Sequence, residues 1–285
     1  MTLFGPLFLG LVNGAFYAML SLGFAVIFGL MRLINFIHGA QYMLGAIVTW
    51  ACLVHLGIGY WLALLVSPLV VGVLSIALER VFIARIAHLD YLYGFLLTYG
   101  LAMMIQGALS NALGTSGLPY PVPAQLSGVF RIGSIVLPVY RAWALVACLT
   151  VCLVTWFAIE RTSLGATLRA ATENPQLVMA FGINVPMLVT FTYGFGAALA
   201  ALTGVLAAPV YSVNPTMGAD LLIIVFAVVV IGGMGSIIGS VVTGIGLGVV
   251  EGLTKAVYPA GASTVVFVVM VVVLLIKPHG LFGRA

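Results

Sequence analysis

The chain has 285 residues, of which 64% are hydrophobic and only 6% are charged. A soluble domain carries about 25% charged residues, so this composition excludes a soluble enzyme, a disordered chain and a nucleic-acid-binding domain. The net charge of +4 comes from scattered Lys and Arg without a basic run, and the mean hydropathy of +1.29 indicates a polytopic membrane protein.

The charged residues divide the chain into apolar segments, and a membrane-spanning helix needs about 20 such residues. Residues 1–31 hold one span and residues 33–78 are long enough for two. Further single spans are predicted at 91–111, 142–159, 186–209 and 256–276. The apolar run 221–250 is predicted to cross twice, as a tight hairpin or as two broken half-helices. The sequence therefore predicts an all-α transmembrane bundle, a single domain over 1–285, with nine crossings and with eight or ten as alternatives.

The distribution of Lys and Arg predicts the orientation, because cytoplasmic loops are enriched in both. Two charged patches, from Glu79 to Asp90 and from Glu160 to Glu173, separate groups of apolar segments. With both patches and the C-terminal tail in the cytoplasm, seven of the Lys and Arg residues are inside and three are outside. The inside set is Arg32, Arg80, Arg85, Arg161, Arg169, Lys277 and Arg284, and the outside set is Arg131, Arg141 and Lys255. The N-terminus is therefore expected outside and the C-terminus in the cytoplasm.

Polar side chains interrupt the long apolar segment that follows the first span. Asn35, His38 and Gln41 lie close together there, and Asn35 can cap the next helix. One interpretation is a cytoplasmic turn with an interfacial histidine. The other places these three side chains along a translocation pathway, with Asn13, in the middle of the first span, as a further candidate.

A glycine-rich segment at 231–240 suggests a second part of such a pathway. Gly232, Ser236, Ser240, Gly244 and Gly248 recur every four residues and would form one small-residue stripe on a helix. Such a stripe permits close helix packing in lipid. Alternatively, the helix is broken and its bare backbone borders the pathway. The pathway candidates in this segment are Gly232, Gly233, Gly235, Ser236 and Gly239.

The segment 160–185 is too long for a simple connection and contains the start and stop signals of a short helix. Asn174 followed by Pro175 is typical of an N-cap and first helical position, and Gly182 is a C-cap glycine. Leu177, Val178 and Phe181 form its apolar face. It could lie on lipid headgroups, but basic residues usually support that arrangement and few are present, so we favour a docking element for a cytoplasmic partner.

No motif for chemistry is found in the sequence. A Walker A loop is excluded because no Gly-Lys dipeptide occurs, and no HExxH or GxSxG motif is present. Asp220 is expected to cap a helix and Glu251 to pair with Lys255 four residues later. No span is expected to contain a mid-membrane carboxylate, which argues against a carrier coupled to protons or sodium. We expect no catalytic residue, metal site or cofactor in this chain.

Four ordered motifs resemble the branched-chain amino acid ABC transporter permease family. They are Asn35-Phe36-Ile37-His38-Gly39, the central loop from Glu160 to Val185, Gly232-Gly233-Met234-Gly235-Ser236, and the tail Lys277-Pro278-His279-Gly280-Leu281-Phe282-Gly283. The resemblance covers nearly the whole chain.

The resemblance implies a permease subunit in a bacterial-type inner membrane that imports branched-chain or other hydrophobic amino acids. The implied partners are a second permease subunit, homologous or identical, two cytoplasmic subunits that bind and hydrolyse ATP, a periplasmic substrate-binding protein and the lipid bilayer, with no nucleic acid. Coupling to the ATPases would involve the central loop, namely Arg169, Glu173, Asn174, Pro175, Leu177, Val178, Phe181 and Gly182.

Other function classes fit the sequence less well. A permease for urea or short amides is the alternative within the resemblance. A stand-alone channel or secondary carrier would have no need of the docking helix. An intramembrane enzyme would require an acid/base constellation, and the sequence offers none.

Overall fold

A computed structural model describes residues 4–31, 33–86, 89–132 and 135–283. Arg32 and Arg284, two members of the predicted inside set, lie outside these residues. The α-helices are α1 Phe4–Met31, α2 Ile37–Leu56, α3 Tyr60–Leu78, α4 Ala84–Ile86, α5 Tyr91–Leu113, α6 Val139–Glu160, α7 Ser163–Glu173, α8 Pro175–Ala180, α9 Val185–Ala207, α10 Met217–Gly232, α11 Ile237–Val257 and α12 Ala262–Ile276. A π-helical turn, Glu79–Ile83, joins α3 to α4, and a hairpin of β1 Val129–Ile132 and β2 Ile135–Pro138 precedes α6.

The predicted polytopic helical bundle is confirmed. Within the described residues, eight helices are long and apolar enough to cross a membrane. One further apolar helix, α10, has only 16 residues. The run that was predicted to cross twice is divided as expected, because α10 ends at Gly232 and α11 begins at Ile237.

Helix contacts define two ends of the bundle. Gly29 of α1 lies beside Gly235, just before α11, whereas Gly10 of α1 lies against Gly248 and Gly252 of α11, so the two helices are antiparallel. We call the end that contains the start of α1 the upper end. The end that contains α7, α8 and the segment 233–236 is the lower end.

The helices α1 and α11 pack closely along an interface of small residues, which we call the seam. Gly10, Gly14 and Ala18 face Gly244, Gly248 and Gly252, and a Cβ atom added at Gly248 would lie only 2.2 Å from the Cα of Gly14. The backbones therefore touch, as small-residue stripes allow in lipid. Close packing is the correct interpretation of this part of the stripe. The same kind of contact joins α2 to α9 and α2 to α10, at Gly45–Ala201, Tyr42–Gly204 and Gly39–Gly218.

The C-terminal tail covers the break between α10 and α11. The backbone N–H of Leu281 donates to the carbonyl of Ile231 at 2.8 Å, and that of Phe282 donates to the carbonyl of Gly232 at 3.1 Å. The last carbonyls of a helix have no partner within it. The tail supplies those partners, so the glycine-rich segment and the tail form one structural unit.

We predict that Gly248→Ala destabilises the bundle, whereas Gly246→Ala does not. An added methyl group at Gly248 would collide with the α1 backbone, and overpacking of this kind costs about 1–3 kcal/mol. Gly246 lies on the same helix with open space around its Cα. The measurement is the thermal unfolding midpoint of the purified protein in detergent. Equal midpoints for the two variants would contradict the importance of the seam.

Candidate functional site

A buried polar cluster connects α2, α3 and α9. The side-chain amide of Gln41 donates from Nε2 to Ser75 Oγ at 3.1 Å and to the hydroxyl of Tyr193 at 3.3 Å. The Tyr193 hydroxyl donates in turn to Asn35 Oδ1 at 3.5 Å. All four side chains are buried. Because hydrogen bonds strengthen in a low-dielectric interior, this cluster fixes the relative positions of the three helices.

Asn35 and His38 place the start of α2 inside the bundle. Asn35 Oδ1 accepts the backbone N–H of Ile37, the first residue of α2, at 3.1 Å, although Phe36 and not Asn35 is the N-cap residue. His38 is 0% exposed, and its Nε2 donates to the carbonyl oxygen of Leu20 in the middle of α1 at 2.9 Å. The interpretation of His38 as an interfacial residue on a cytoplasmic turn is therefore wrong.

Hydrogen-bonding capacity remains in this cluster. Asn35 Nδ2, His38 Nδ1 and Gln41 Oε1 are buried and have no partner among the described residues. Most buried polar atoms in proteins are hydrogen-bonded, so three such atoms on neighbouring side chains need an explanation. The three residues predicted to line a pathway thus lie together in the packed core, each with an unused polar atom.

A buried carboxylate that the sequence did not predict lies in the same region. Glu79 was assigned to a charged cytoplasmic patch, but it is 2% exposed and accepts a hydrogen bond from Thr190 Oγ1 at 2.8 Å. Arg80 Nε donates to the same Thr190 oxygen at 3.1 Å. Glu79 opens the π-helical turn that extends α3, and π-helical turns often occur at functional sites. Its spacing of four residues from Ser75 was the available signal, because it places both on one helix face.

A cavity of about 350 Å³ opens at the upper end, and we call it the upper cavity. Asn13 lines it, away from the polar cluster, and its Oδ1 accepts the Tyr211 hydroxyl at 2.6 Å. Glu251, Arg141 and Lys255 also line it.

Glu251 does not form the expected pair with Lys255. Its Oε2 accepts the hydroxyl of Tyr17, on α1, at 2.7 Å. Within the part of the chain that the structure describes, the one ion pair within 4.0 Å is Arg169–Glu160. The predicted Glu251–Lys255 pair is therefore wrong, because the carboxylate is bound to α1.

A second cavity, of about 470 Å³, lies at the lower end, and we call it the lower cavity. Gly29 and Leu30 of α1, Arg169 and Thr172 of α7, and Phe282 of the tail contribute to its walls.

The five pathway candidates of the glycine-rich segment have different surroundings. Gly235 and Ser236 line the lower cavity. Ser236 Oγ accepts the N–H of Gly239 at 3.1 Å and so caps α11. Gly232 and Gly239 pack against each other, since a Cβ at Gly239 would lie 2.1 Å from the Gly232 carbonyl oxygen. Gly233 packs under the tail, against Gly283.

The central loop folds into the helices α7 and α8, and α8 is the predicted short helix. Asn174 Oδ1 accepts the N–H of Leu177 at 3.0 Å, Pro175 is the first helical residue, and Gly182 follows the helix with φ +82°. Local sequence signals thus determine both ends of α8.

The side chains of α8 divide between the bundle and the surface. Val178 is 6% exposed and packs with Ala171 and Val185, so it attaches α8 to its own chain instead of forming a docking surface. Leu177 and Phe181 are 55% and 78% exposed.

The charged residues of the central loop lie on α7. Arg169 donates to Glu160 at 3.3 Å and thereby links α7 to the end of α6. Glu173, the last residue of α7, is exposed beside Asn174. Glu173 therefore lies next to α8, whereas Arg169 lines the lower cavity.

Known proteins are similar to this chain over nearly its whole length. The family model described as branched-chain amino acid transport system / permease component matches residues 7–276. The high-affinity branched-chain amino acid transport system permease protein LivH of Salmonella typhimurium is 30% identical, over 98% of this chain and 94% of that protein. The corresponding protein BraD of Pseudomonas aeruginosa is 29% identical, over 96% and 94%. No solved structure gives a significant match.

We predict that Tyr193→Phe lowers the stability of the bundle. The variant removes one hydroxyl and with it the contacts to Gln41 and Asn35, and each lost hydrogen bond costs about 0.5–1.5 kcal/mol. Tyr91→Phe removes the same hydroxyl from an exposed ring and serves as the control. Thermal unfolding in detergent would show a lower midpoint for the first variant alone. Identical midpoints would mean that the cluster contributes no net stability.

Proposed function

Because the chain belongs to the branched-chain amino acid transport permease family, we propose that it is the membrane-spanning permease subunit of an ATP-driven importer. Its cargo would be branched-chain or other hydrophobic amino acids, delivered by a periplasmic binding protein. The observation that carries this proposal is the exposed apolar pair Leu177 and Phe181 on the capped helix α8. A urea or short-amide permease is the alternative.

The proposed partner at the lower end is an ATPase subunit that binds α8 in a groove. A helix of six residues is too short to be stable alone, and Val178 attaches it to the bundle from one side. Helix-in-groove docking would cover Leu177 and Phe181, and full burial of such a side chain contributes about 1.5–3 kcal/mol. ATP would be bound by two such subunits, and a second permease subunit, homologous or identical, would complete the pore.

We propose that substrate passes along α1. This helix lines the upper cavity with Asn13 and the lower cavity with Gly29, and between them its Leu20 carbonyl binds His38. The unpaired polar atoms of Asn35, His38 and Gln41 would form hydrogen bonds with the substrate once the surrounding helices separate. Gly235 and Ser236 would border the exit.

The excess of Lys and Arg supports a cytoplasmic location for the lower end, with the N-terminus outside and the C-terminus inside. We predict that an impermeant thiol reagent applied to intact cells labels Ser127→Cys, in the loop before the β-hairpin, and not Ala166→Cys on α7. Both positions are exposed, and the three native cysteines, all buried, would be replaced first. Labelling at Ala166→Cys with none at Ser127→Cys would show that the chain has the opposite orientation.

We predict that the chain, co-expressed with its ATPase and second permease subunit, imports leucine, isoleucine or valine into proteoliposomes when ATP and binding protein are present. A panel with urea and acetamide separates the two candidate cargo classes. Uptake of the amides alone would favour the alternative. Uptake without any ATPase would indicate a stand-alone carrier and contradict the proposal.

The matched variants for this experiment test the role of α8. Leu177→Ser with Phe181→Ser should weaken ATPase association and abolish ATP-dependent uptake, because the apolar docking surface is lost. Val136→Ser with Val257→Ser replaces two equally exposed apolar side chains away from α8 and should retain the ATPase. If the α8 variant assembles and transports like the parent, the proposed docking surface is wrong.

A further inference from the structure

The upper cavity contains opposite charges that do not pair with one another. Glu251 contributes a carboxylate from α11, and Arg141 of α6 and Lys255 of α11 contribute two cations. No described acid lies within 4.0 Å of either cation, and no described cation lies within that distance of Glu251. In a chain with sixteen charged residues, three such groups around one cavity are a substantial concentration of charge.

Neighbouring side chains hold the carboxylate in place. The Tyr17 hydroxyl, which comes from the buried face of α1, donates to Glu251 Oε2 at 2.7 Å. A Glu–Lys pair four residues apart on a helix would normally interact, but here the contact with Tyr17 directs the carboxylate towards α1. Across the cavity, the Tyr211 hydroxyl is held by Asn13 at 2.6 Å.

We propose that the upper cavity is a transit site for a zwitterionic amino acid, with Glu251 as the partner of the α-ammonium group and Arg141 and Lys255 as partners of the α-carboxylate. This inference rests on the proposed function and specifies which chemical groups of the cargo the permease recognises.

The energetic reason is the cost of removing charge from water. An amino acid that leaves a binding protein and enters a membrane protein carries two full charges, and an unpaired charge in a low-dielectric interior is strongly unfavourable. A cavity that presents a separate partner for each charge compensates both at once. If Glu251 were already paired with Lys255, its carboxylate would attract the incoming ammonium group less strongly.

The remaining walls suit an apolar side chain. Leu9, Val12 and Val210 line the cavity beside the charged groups. A cavity of about 350 Å³ is at the small end of the range of about 300–1,000 Å³ for ligand sites. This combination favours one small amino acid with a hydrophobic side chain over a sugar or a peptide.

The experiment measures ligand binding to the complete permease–ATPase complex without binding protein, by saturation-transfer NMR. The probes are leucine, leucinamide, which lacks the carboxylate, and 4-methylpentanoate, which lacks the ammonium group. We expect leucine to bind at least about tenfold more tightly than either analogue, because each analogue loses one charge-assisted contact. Equal binding of leucinamide would indicate a cation site, and equal binding of 4-methylpentanoate an anion site. Either result would overturn the proposal.

Variants of the cavity complete the test. Glu251→Gln should lower leucine affinity at least about tenfold and abolish its advantage over 4-methylpentanoate. Arg141→Gln should reduce its advantage over leucinamide, because Lys255 remains as a partner of the carboxylate. Arg131→Gln, on the exposed β-hairpin at the same end, is the matched control and should bind leucine like the parent. Lys255→Gln is a second variant at an exposed position, in case Glu251→Gln fails to assemble.

Measuring import by the parent complex distinguishes a failure of the proposed function from a failure of the proposed transit site. If the parent imports no amino acid, the proposed function fails. If the parent imports leucine, but Glu251→Gln, Arg141→Gln and Lys255→Gln retain parental leucine affinity and import, the transit site alone is wrong.

Discussion

The structure depends on direct backbone contact between α1 and α11. In lipid, apolar side chains gain little by moving from hydrocarbon to a helix interface, so close van der Waals contact must hold helices together. That contact is possible because three residues at the interface are glycines, namely Gly10, Gly14 and Gly248. The seam also positions both cavities, since Tyr17 meets Glu251 near its upper end and Gly29 meets Gly235 at its lower end. A shift of α11 along α1 would therefore change both cavities together.

The break between α10 and α11 shows how an interrupted helix is accommodated. Backbone polar groups at membrane depth need partners, because hydrocarbon supplies none. The tail provides them through Leu281 and Phe282, which bind the last carbonyls of α10. Phe282 also lines the lower cavity, together with Thr172 of α7 and Ser236. The tail, the break and the central loop thus border one common space, the lower cavity.

Local signals in the sequence predicted much of this architecture. The lengths of the apolar segments and the spacing of charges predicted the spans and a division of the run 221–250. The cap residues Asn174 and Gly182 predicted the ends of α8. The predictions that failed concern neighbours in space. The burial of His38 depends on α1 passing beside the start of α2, and the burial of Glu79 depends on Thr190 of α9. The partner of Glu251 is 234 residues away in the chain, and spacing along one helix gives no information about such a contact.

Two carboxylates whose contacts the sequence did not predict have contrasting surroundings. Glu79 is buried in the π-helical turn after α3, and the Thr190 hydroxyl of α9 donates to it and also accepts from Arg80. This hydrogen bond links the π-helical turn after α3 to α9. Glu251 receives one hydrogen bond from Tyr17 and otherwise borders a cavity. A charge left without a counter-ion next to open space is costly unless water or a ligand compensates it. Glu251 therefore presents to the upper cavity a carboxylate that no described cation pairs with, and the proposed transit site rests on this feature.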